Sequence, residues 1–126
     1  MGPLTHPDPH TTLEITMNNP LFSDVLKRRL ELTQAVLGRK GDEYVRGGDR
    51  YSNFKHAAAY LKVTPERALI GMRAKHEISL MDIINDIDAD KLPTIEMLEE
   101  KIGDNIAYLI LLEGILKERI LNAPSR

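Results

Sequence analysis

The most chemically suggestive part of the sequence is a loop over residues 38–52, which carries four glycines among charged side chains. Glycine lets backbone N–H groups come close to a bound anion, and basic side chains add charge-assisted hydrogen bonds. The basic residues in and just after this loop are Lys40, Arg46, Arg50 and Lys55. This combination predicts binding of a phosphate-bearing small molecule. The loop is not a P-loop, because it lacks the Gly-Lys-Ser/Thr run of that motif.

Three aromatic residues, Tyr44, Tyr51 and Phe54, lie in or beside the same loop. The whole chain has only two Phe, four Tyr and no Trp, so this local density indicates that the segment packs against something. The sequence leaves three choices for that contact: the protein core, a partner subunit or a nucleotide base. The alternative is a solvated loop that binds no ligand.

A second group of polar residues belongs to two long helices predicted in the C-terminal half. Lys75 and His76 suit a phosphate group, although a histidine on an apolar stripe can equally be a core residue. If the helices turn near residue 90, Asp104 lies level with His76, and Glu100 lies closer to Asp82. Mg²⁺ prefers oxygen ligands, so Asp82, Glu100 and Asp104 form a candidate magnesium site. The alternative is an ion pair between Lys75 and either Asp104 or Asp82.

Four helices must position these residues, and no segment has the two-residue period of a half-buried strand. The first helix is predicted from Asn19-Pro20 to Gly38, because an N-cap and a proline open it and a glycine closes it. The others are predicted over residues 53–63, 65–87 and 94–121, with the last two joined as an antiparallel hairpin. Residues 1–19 are rich in proline and have no period, so we predict a mobile tail before a single all-α domain, a small helical bundle, over 20–126.

The last predicted helix is apolar on two sides. The residues of its main stripe are Ile95, Leu98, Ile102, Ile106, Leu109, Leu116 and Ile120. The residues of its second stripe, roughly opposite by the 100° step of an α-helix, are Ala107, Leu111 and Ile115. A helix that is apolar on two sides must be covered on both. In so short a chain we expect another subunit to cover the second stripe, which predicts a homo-oligomer.

The composition excludes several classes of function. The 126 residues suffice for one domain, and their 17 basic and 19 acidic side chains argue against a general nucleic-acid binder. Because cysteine is absent, the chain forms no disulfide, thiolate metal site or cysteine nucleophile. No stretch is long and apolar enough for a membrane span and the start lacks a signal-peptide pattern, so we expect a cytoplasmic protein without a membrane partner.

Four stretches of the chain are distinctive as a set. They read LGRKGDEY from residue 37, GGDRYSNFKHAA from residue 47, TPERALIGMRAKH from residue 64 and EEKIGDNIAYLILLEGILKER from residue 99. Together they resemble the small phage and prophage proteins that carry the nucleotide-modification-associated domain, type 1. The resemblance covers about residues 20–121 and implies an all-helical phage protein linked to nucleotide metabolism or modification. The positions that it carries over are Lys40, Glu43, Tyr44, Asp49, Arg50, Asn53, Phe54, Lys75, His76, Glu100, Lys101, Asp104 and Tyr108.

A more distant resemblance is to the all-α nucleotide pyrophosphohydrolases of the MazG and dimeric dUTPase kind. These enzymes bind magnesium through an ExxE motif on one helix and an ExxD motif on the next. Here the second motif reads Lys101-Ile102-Gly103-Asp104, so only Asp104 matches, and residues 65–87 contain no ExxE. The loss of carboxylate ligands disfavours hydrolysis more than it disfavours nucleotide binding.

We therefore expect a phage-type protein, cytoplasmic in its bacterial host, that binds a phosphorylated nucleotide. Its role would lie in nucleotide metabolism or modification, or in sequestering a signalling nucleotide of host defence. The predicted nucleotide-binding residues are Lys40, Glu43, Tyr44, Arg46, Arg50, Tyr51, Asn53, Phe54, Lys55, Lys75 and His76. One alternative is a magnesium-dependent (d)NTP pyrophosphohydrolase that uses Asp82, Glu100 and Asp104. Another is a helical interaction module without a small-molecule site.

Overall fold

The computed structural model describes residues 19–38 and 48–124. They form four α-helices, α1 (Pro20–Leu37), α2 (Ser52–Leu61), α3 (Pro65–Asp88) and α4 (Ile95–Leu121), and this part of the chain contains no β-strand. The prediction of an all-α fold is confirmed. No helix among these residues has the combination of length and apolar character that crossing a membrane requires. The predicted tail lies outside the described residues except for its last residue, Asn19.

The helix boundaries follow from capping residues that the sequence supplies. The side-chain oxygens of Asn19, Thr64 and Thr94 each accept a hydrogen bond from the backbone N–H three residues further on, at 2.9, 3.3 and 3.1 Å. These contacts satisfy N–H groups that have no partner inside the helix. At the other end of α2, Lys62 adopts the left-handed conformation (φ 60°, ψ 45°), which turns the chain before α3 begins.

The chain divides into two compact units between Leu32 and Thr33, inside α1. The second unit contains α2, α3, α4 and the hydrophobic core. At the centre of that core, Leu69 of α3 is fully buried between Phe54 of α2 and Ile115 of α4. Each helix of this unit therefore contributes one large apolar side chain to the same cluster.

Two contacts show that α3 and α4 run antiparallel. Glu66 in the first turn of α3 forms an ion pair with Arg119 near the end of α4. Midway along the helices, His76 lies beside Asp104. The connecting residues 89–94 turn sharply, and Asp90 adopts a positive φ of 62°, a conformation that aspartate tolerates better than most residues.

The structure reverses the predicted roles of the two apolar sides of α4. Ile115 is buried in the core and Leu111 packs against that core, so the second stripe faces its own chain. The prediction that another subunit covers this stripe is therefore wrong. The main stripe is only partly covered: Ile95 and Ile120 are exposed, whereas Leu98, Ile102 and Ile106 are half-buried. Periodicity reveals that two sides are apolar, but the rotation of the helix depends on which residues contact α2 and α3.

Candidate functional site

A cavity of about 440 Å³ opens where α2 and α3 begin and α4 ends. Tyr51 and Lys55 line it from the start of α2, Glu66 from the first turn of α3, and Ile115, Glu118 and Arg119 from the end of α4. This volume lies in the range of pockets that hold small molecules. The cavity combines an apolar floor with charged side chains, so it is suited to a ligand that has one apolar part and one charged part.

The aromatic ring of Tyr51 is held at a defined position in this cavity. Its backbone N–H donates to Asp49 Oδ1 at 2.9 Å, and its ring packs against the core cluster. Its hydroxyl lies against Gly114 of α4, where any β-carbon would overlap with it. The ring therefore forms a preorganised apolar wall of the cavity.

Lys55 supplies the first positive charge of the cavity. Its Nζ donates to Asp49 Oδ2 at 2.8 Å, so one carboxylate fixes both Lys55 and the backbone of Tyr51. The hydrogen bonds from Lys55 and from the Tyr51 backbone lower the pKa of Asp49, and the hydrogen bond to Asp49 raises the pKa of Lys55. Lys55 therefore stays charged at neutral pH. An ammonium group has three donors and Asp49 accepts one, so Lys55 can also bind a ligand oxygen.

Arg119 supplies the second positive charge, and Glu66 orients it through two contacts. Glu66 Oε2 is 2.6 Å from Arg119 Nε, and Glu66 Oε1 accepts from Nη2 at 3.1 Å. Burial favours a higher pKa for Glu66, but hydrogen bonds from its own backbone N–H and from Arg119 lower this pKa below its ordinary value. A guanidinium group has five donors, and Glu66 accepts two of them. Arg119 is thus fixed in place with donors left for a ligand.

A second polar group lies in the middle of the α3–α4 hairpin. His76 Nδ1 is 3.4 Å from Asp104 Oδ2, and the ring centroids of His76 and Tyr108 are 4.8 Å apart. Tyr108 in turn meets Phe54 edge to face at 5.9 Å. Burial, with a smaller contribution from the negative charge of Asp104, raises the pKa of Tyr108, so its hydroxyl is neutral at physiological pH. This row of side chains connects the core to the surface.

Asn105 ties the hairpin together next to this group. Its Nδ2 donates to the backbone carbonyl of His76 at 3.0 Å and to that of Lys101 at 2.9 Å. The side chain is buried, and its Oδ1 has no hydrogen-bond partner within the described part of the chain. Asn105 was not among the predicted site residues, and its only sequence signal is an amide in an apolar stretch of helix.

The structure brings together only some of the predicted nucleotide-binding residues. Tyr51 and Lys55 line the cavity, whereas Phe54 lies behind them in the core and offers no surface to a ligand. Asn53 and Lys75 are exposed, and Arg50 directly precedes Tyr51. His76 lies beside Asp104 and does not line the cavity. The remaining four predicted residues lie outside the described residues: Lys40, Glu43, Tyr44 and Arg46.

The three predicted magnesium ligands do not form one site. Asp104 contacts His76, while Asp82 and Glu100 are exposed on α3 and α4. Across residues 19–38 and 48–124, no three His, Cys, Asp or Glu side chains are grouped closely enough to hold a metal ion. Magnesium binding by Asp82, Glu100 and Asp104 stays a prediction.

The residues of the cavity region that the sequence did not single out include Glu66, Gly114, Glu118 and Arg119. Gly114 carries a readable signal, because a single glycine inside an apolar helical stretch often marks a close approach by another group. Glu66 and Arg119 are 53 residues apart, and no local pattern links them.

Comparison of the chain with protein-family models, with curated proteins and with solved structures finds no match. An inference about function must therefore start from the geometry of the two polar groups. The cavity is the stronger of the two, because it joins an open cleft, a fixed aromatic ring and two oriented cations.

Proposed function

We propose that this protein binds a phosphorylated nucleotide in the cavity lined by Tyr51, Lys55 and Arg119. The observation that carries the proposal is that one fixed aromatic ring and two cations line the same 440 Å³ cavity, together with the carboxylates of Glu66 and Glu118. A nucleotide has the complementary chemistry, because a flat base is attached to an anionic phosphate. The resemblance to phage proteins linked to nucleotide metabolism favours a nucleotide over other aromatic anions.

Tyr51 is the residue that would contact the base. Its ring is already immobilised by Asp49, by Gly114 and by the core, so binding costs little side-chain entropy. Stacking of a base on an aromatic side chain is worth about 1–3 kcal/mol when measured by substitution with alanine. Stacking tolerates any base, so this contact favours nucleotides as a class without selecting one of them.

Lys55 and Arg119 would bind the phosphate. Each charge-assisted hydrogen bond contributes about 1.5–3 kcal/mol. The phosphate competes with Asp49 and Glu66, which already hold the two cations. Binding therefore exchanges or shares existing ion pairs, and we expect the affinity to fall as salt screens the exposed charges.

The proposal includes the biological setting implied by the sequence resemblance. The protein would act in the cytoplasm of an infected or lysogenic bacterium, as a homo-oligomer. It would bind its nucleotide for metabolism or modification, or sequester a signalling nucleotide of host defence.

Calorimetric titration with a panel of nucleoside mono- and triphosphates and cyclic dinucleotides tests the proposal. Lys55→Ala and Arg119→Ala should each weaken binding by about tenfold or more, since 1.4 kcal/mol corresponds to a factor of ten. Lys117→Ala is the matched control: Lys117 lies on the same helix as Arg119, pairs with Glu113 at 2.8 Å and does not line the cavity. Unchanged affinity in both cavity variants would contradict the proposal.

The same titrations separate binding from catalysis when they are run in EDTA and in magnesium, with pyrophosphate measured after each. A binding protein holds its nucleotide in EDTA and releases no pyrophosphate. A (d)NTP pyrophosphohydrolase needs magnesium and releases pyrophosphate. An interaction module without a small-molecule site shows neither binding nor release.

A further inference from the structure

The cavity beside Tyr51 carries negative side chains as well as positive ones. Lys55 and Arg119 are its cations, and Glu66 and Glu118 are its carboxylates. The charges of these lining residues, all from the described part of the chain, therefore cancel one another. A cavity whose charges cancel does not attract every anion equally, and its affinity for a ligand depends on how much negative charge that ligand carries.

The two carboxylates differ in how far their charge is already matched. Glu66 forms two contacts with Arg119, at 2.6 and 3.1 Å. The side chain of Glu118 is exposed and forms no hydrogen bond or ion pair with another described residue. A hydrogen bond to Asp49 is the main reason that the pKa of Lys55 is raised, and the negative charge of Glu118 acts in the same direction. Glu118 is therefore close enough to influence what binds at Lys55.

The helix ends at the cavity do not change this balance of charge. Pro65 and Glu66 bring the start of α3 to the cavity, and residues 122–124 bring the end of α4. The N-terminus of a helix carries a partial positive charge and the C-terminus a partial negative charge of similar size. Among the described lining residues, attraction for phosphate therefore comes mainly from Lys55 and Arg119.

We infer that Glu118 limits the cavity to one phosphate group, so that a nucleoside monophosphate binds more tightly than the triphosphate of the same nucleoside. This inference rests on the proposed function, because it specifies which class of nucleotide the cavity binds.

The charge of a single phosphate group matches the two cations. A phosphate monoester carries a charge of about −1.5 to −2 at neutral pH, which Lys55 and Arg119 together can neutralise. Each further phosphate group adds negative charge, and the described lining of the cavity offers no third cation to receive it. Glu118 repels that added charge. Repulsion of the wrong ligand is a common source of specificity, even where the attractive contacts are the same for both ligands.

Calorimetric titration in EDTA tests the inference with the mono- and triphosphates of adenosine, guanosine, cytidine and thymidine. The wild type should bind the monophosphate of its preferred nucleoside about tenfold more tightly than the triphosphate. Two like charges about 4 Å apart in water repel each other by an energy that corresponds to about fivefold in affinity. Glu118→Gln should therefore reduce the preference for the monophosphate by about fivefold.

Glu113→Gln is the matched control, because it removes the same charge from an exposed position of the same helix. Glu113 pairs with Lys117 and does not line the cavity, so this variant should keep the wild-type preference. Circular dichroism checks that both variants remain helical. A salt titration adds a second readout: salt should reduce the preference of the wild type more than that of Glu118→Gln, because it screens a repulsion that the variant lacks.

The outcomes separate this inference from the proposed function. Triphosphates that bind as tightly as monophosphates would overturn the inference and leave nucleotide binding in place. A folded Glu118→Gln variant that keeps the wild-type preference would overturn the role of Glu118 in the same way. A wild type that binds neither class of nucleotide would overturn the proposed function, and the inference with it.

Discussion

The hydroxyl of Tyr51 occupies the space that a β-carbon on Gly114 would need. Glycine inside a helix costs roughly 0.5–1 kcal/mol relative to alanine, and at Gly114 a close contact offsets this cost. This contact is the close approach of the Tyr51 ring, which packs against the core and lines the cavity. The absence of a side chain at Gly114 thus allows Tyr51, the candidate base-binding residue, to take its position in the cavity.

Gly114→Ala should therefore destabilise the protein and weaken nucleotide binding. Overpacking costs about 1–3 kcal/mol, and the better helix propensity of alanine offsets about 1 kcal/mol of that cost. Urea unfolding followed by circular dichroism measures the net change. Adding Tyr51→Phe should restore part of the lost stability, because it removes the oxygen atom that meets the new methyl group.

Gly71→Ala is the control for Gly114→Ala. Gly71 is also inside a helix, but no atom lies within 4 Å of the position that its β-carbon would take. This substitution should raise the free energy of unfolding by up to about 1 kcal/mol. If both alanine variants were equally stable, the contact between Tyr51 and α4 would not exist in solution.

Asn105→Ala should lower the free energy of unfolding by about 1–3 kcal/mol. The substitution leaves the carbonyl of His76 without the donor that now reaches it across the hairpin at 3.0 Å. Chemical denaturation checks this value, with Asn85→Ala as the control because Asn85 is exposed on α3. The control should change stability by no more than about 0.5 kcal/mol. An equally small effect at Asn105 would mean that its two hydrogen bonds do not stabilise the hairpin.

Glu66→Gln should make the protein less stable at neutral pH and should flatten the dependence of stability on acid pH. In the folded state, burial by itself would raise the pKa of Glu66. A hydrogen bond from its own backbone N–H and the contact with the Arg119 side chain lower this pKa below its ordinary value. The folded state thus binds this proton less tightly than the unfolded chain does. The resulting stabilisation is complete above the unfolded-state pKa, about 4.3, and is lost as the pH falls through the folded-state pKa.

Denaturant unfolding at a series of pH values from neutral to acid tests this expectation for Glu66. The stability difference between wild type and Glu66→Gln should narrow once the pH falls below the ordinary range of a glutamate. Glu113→Gln serves as the comparison, because Glu113 pairs with Lys117 at an exposed site and salt and water weaken that pair. A stability difference at position 66 that stays constant with pH would mean that Arg119 does not hold the carboxylate in its charged form.

Asp104→Asn should leave nucleotide affinity unchanged, because Asp104 lies beside His76 and not in the cavity. Removing this partly exposed contact should reduce stability by no more than about 1 kcal/mol. Calorimetry with a magnesium titration, accompanied by melting curves, provides both readouts. Loss of magnesium-linked binding in a variant that melts normally would move the functional site from the cavity to the hairpin.

The helices and most of their ends could be predicted from the sequence, because the interactions that form them are local. Asn19, Thr64 and Thr94 cap backbone groups only three residues away, so their effect is readable without tertiary structure. The short connection between α3 and α4 left few possible registers, and it predicted that Asp104 lies level with His76.

Only the tertiary structure decided which side of α4 meets the core and which residues form the cavity. Both sides of α4 are apolar, so its rotation depends on contacts such as that of Asn105 with the His76 carbonyl. The cavity joins Tyr51 to Gly114 and Glu66 to Arg119, pairs that are close in space but far apart along the chain. Sequence periodicity reports on neighbours within a few turns of helix, whereas close packing and ion pairing depend on distances that only the folded chain sets.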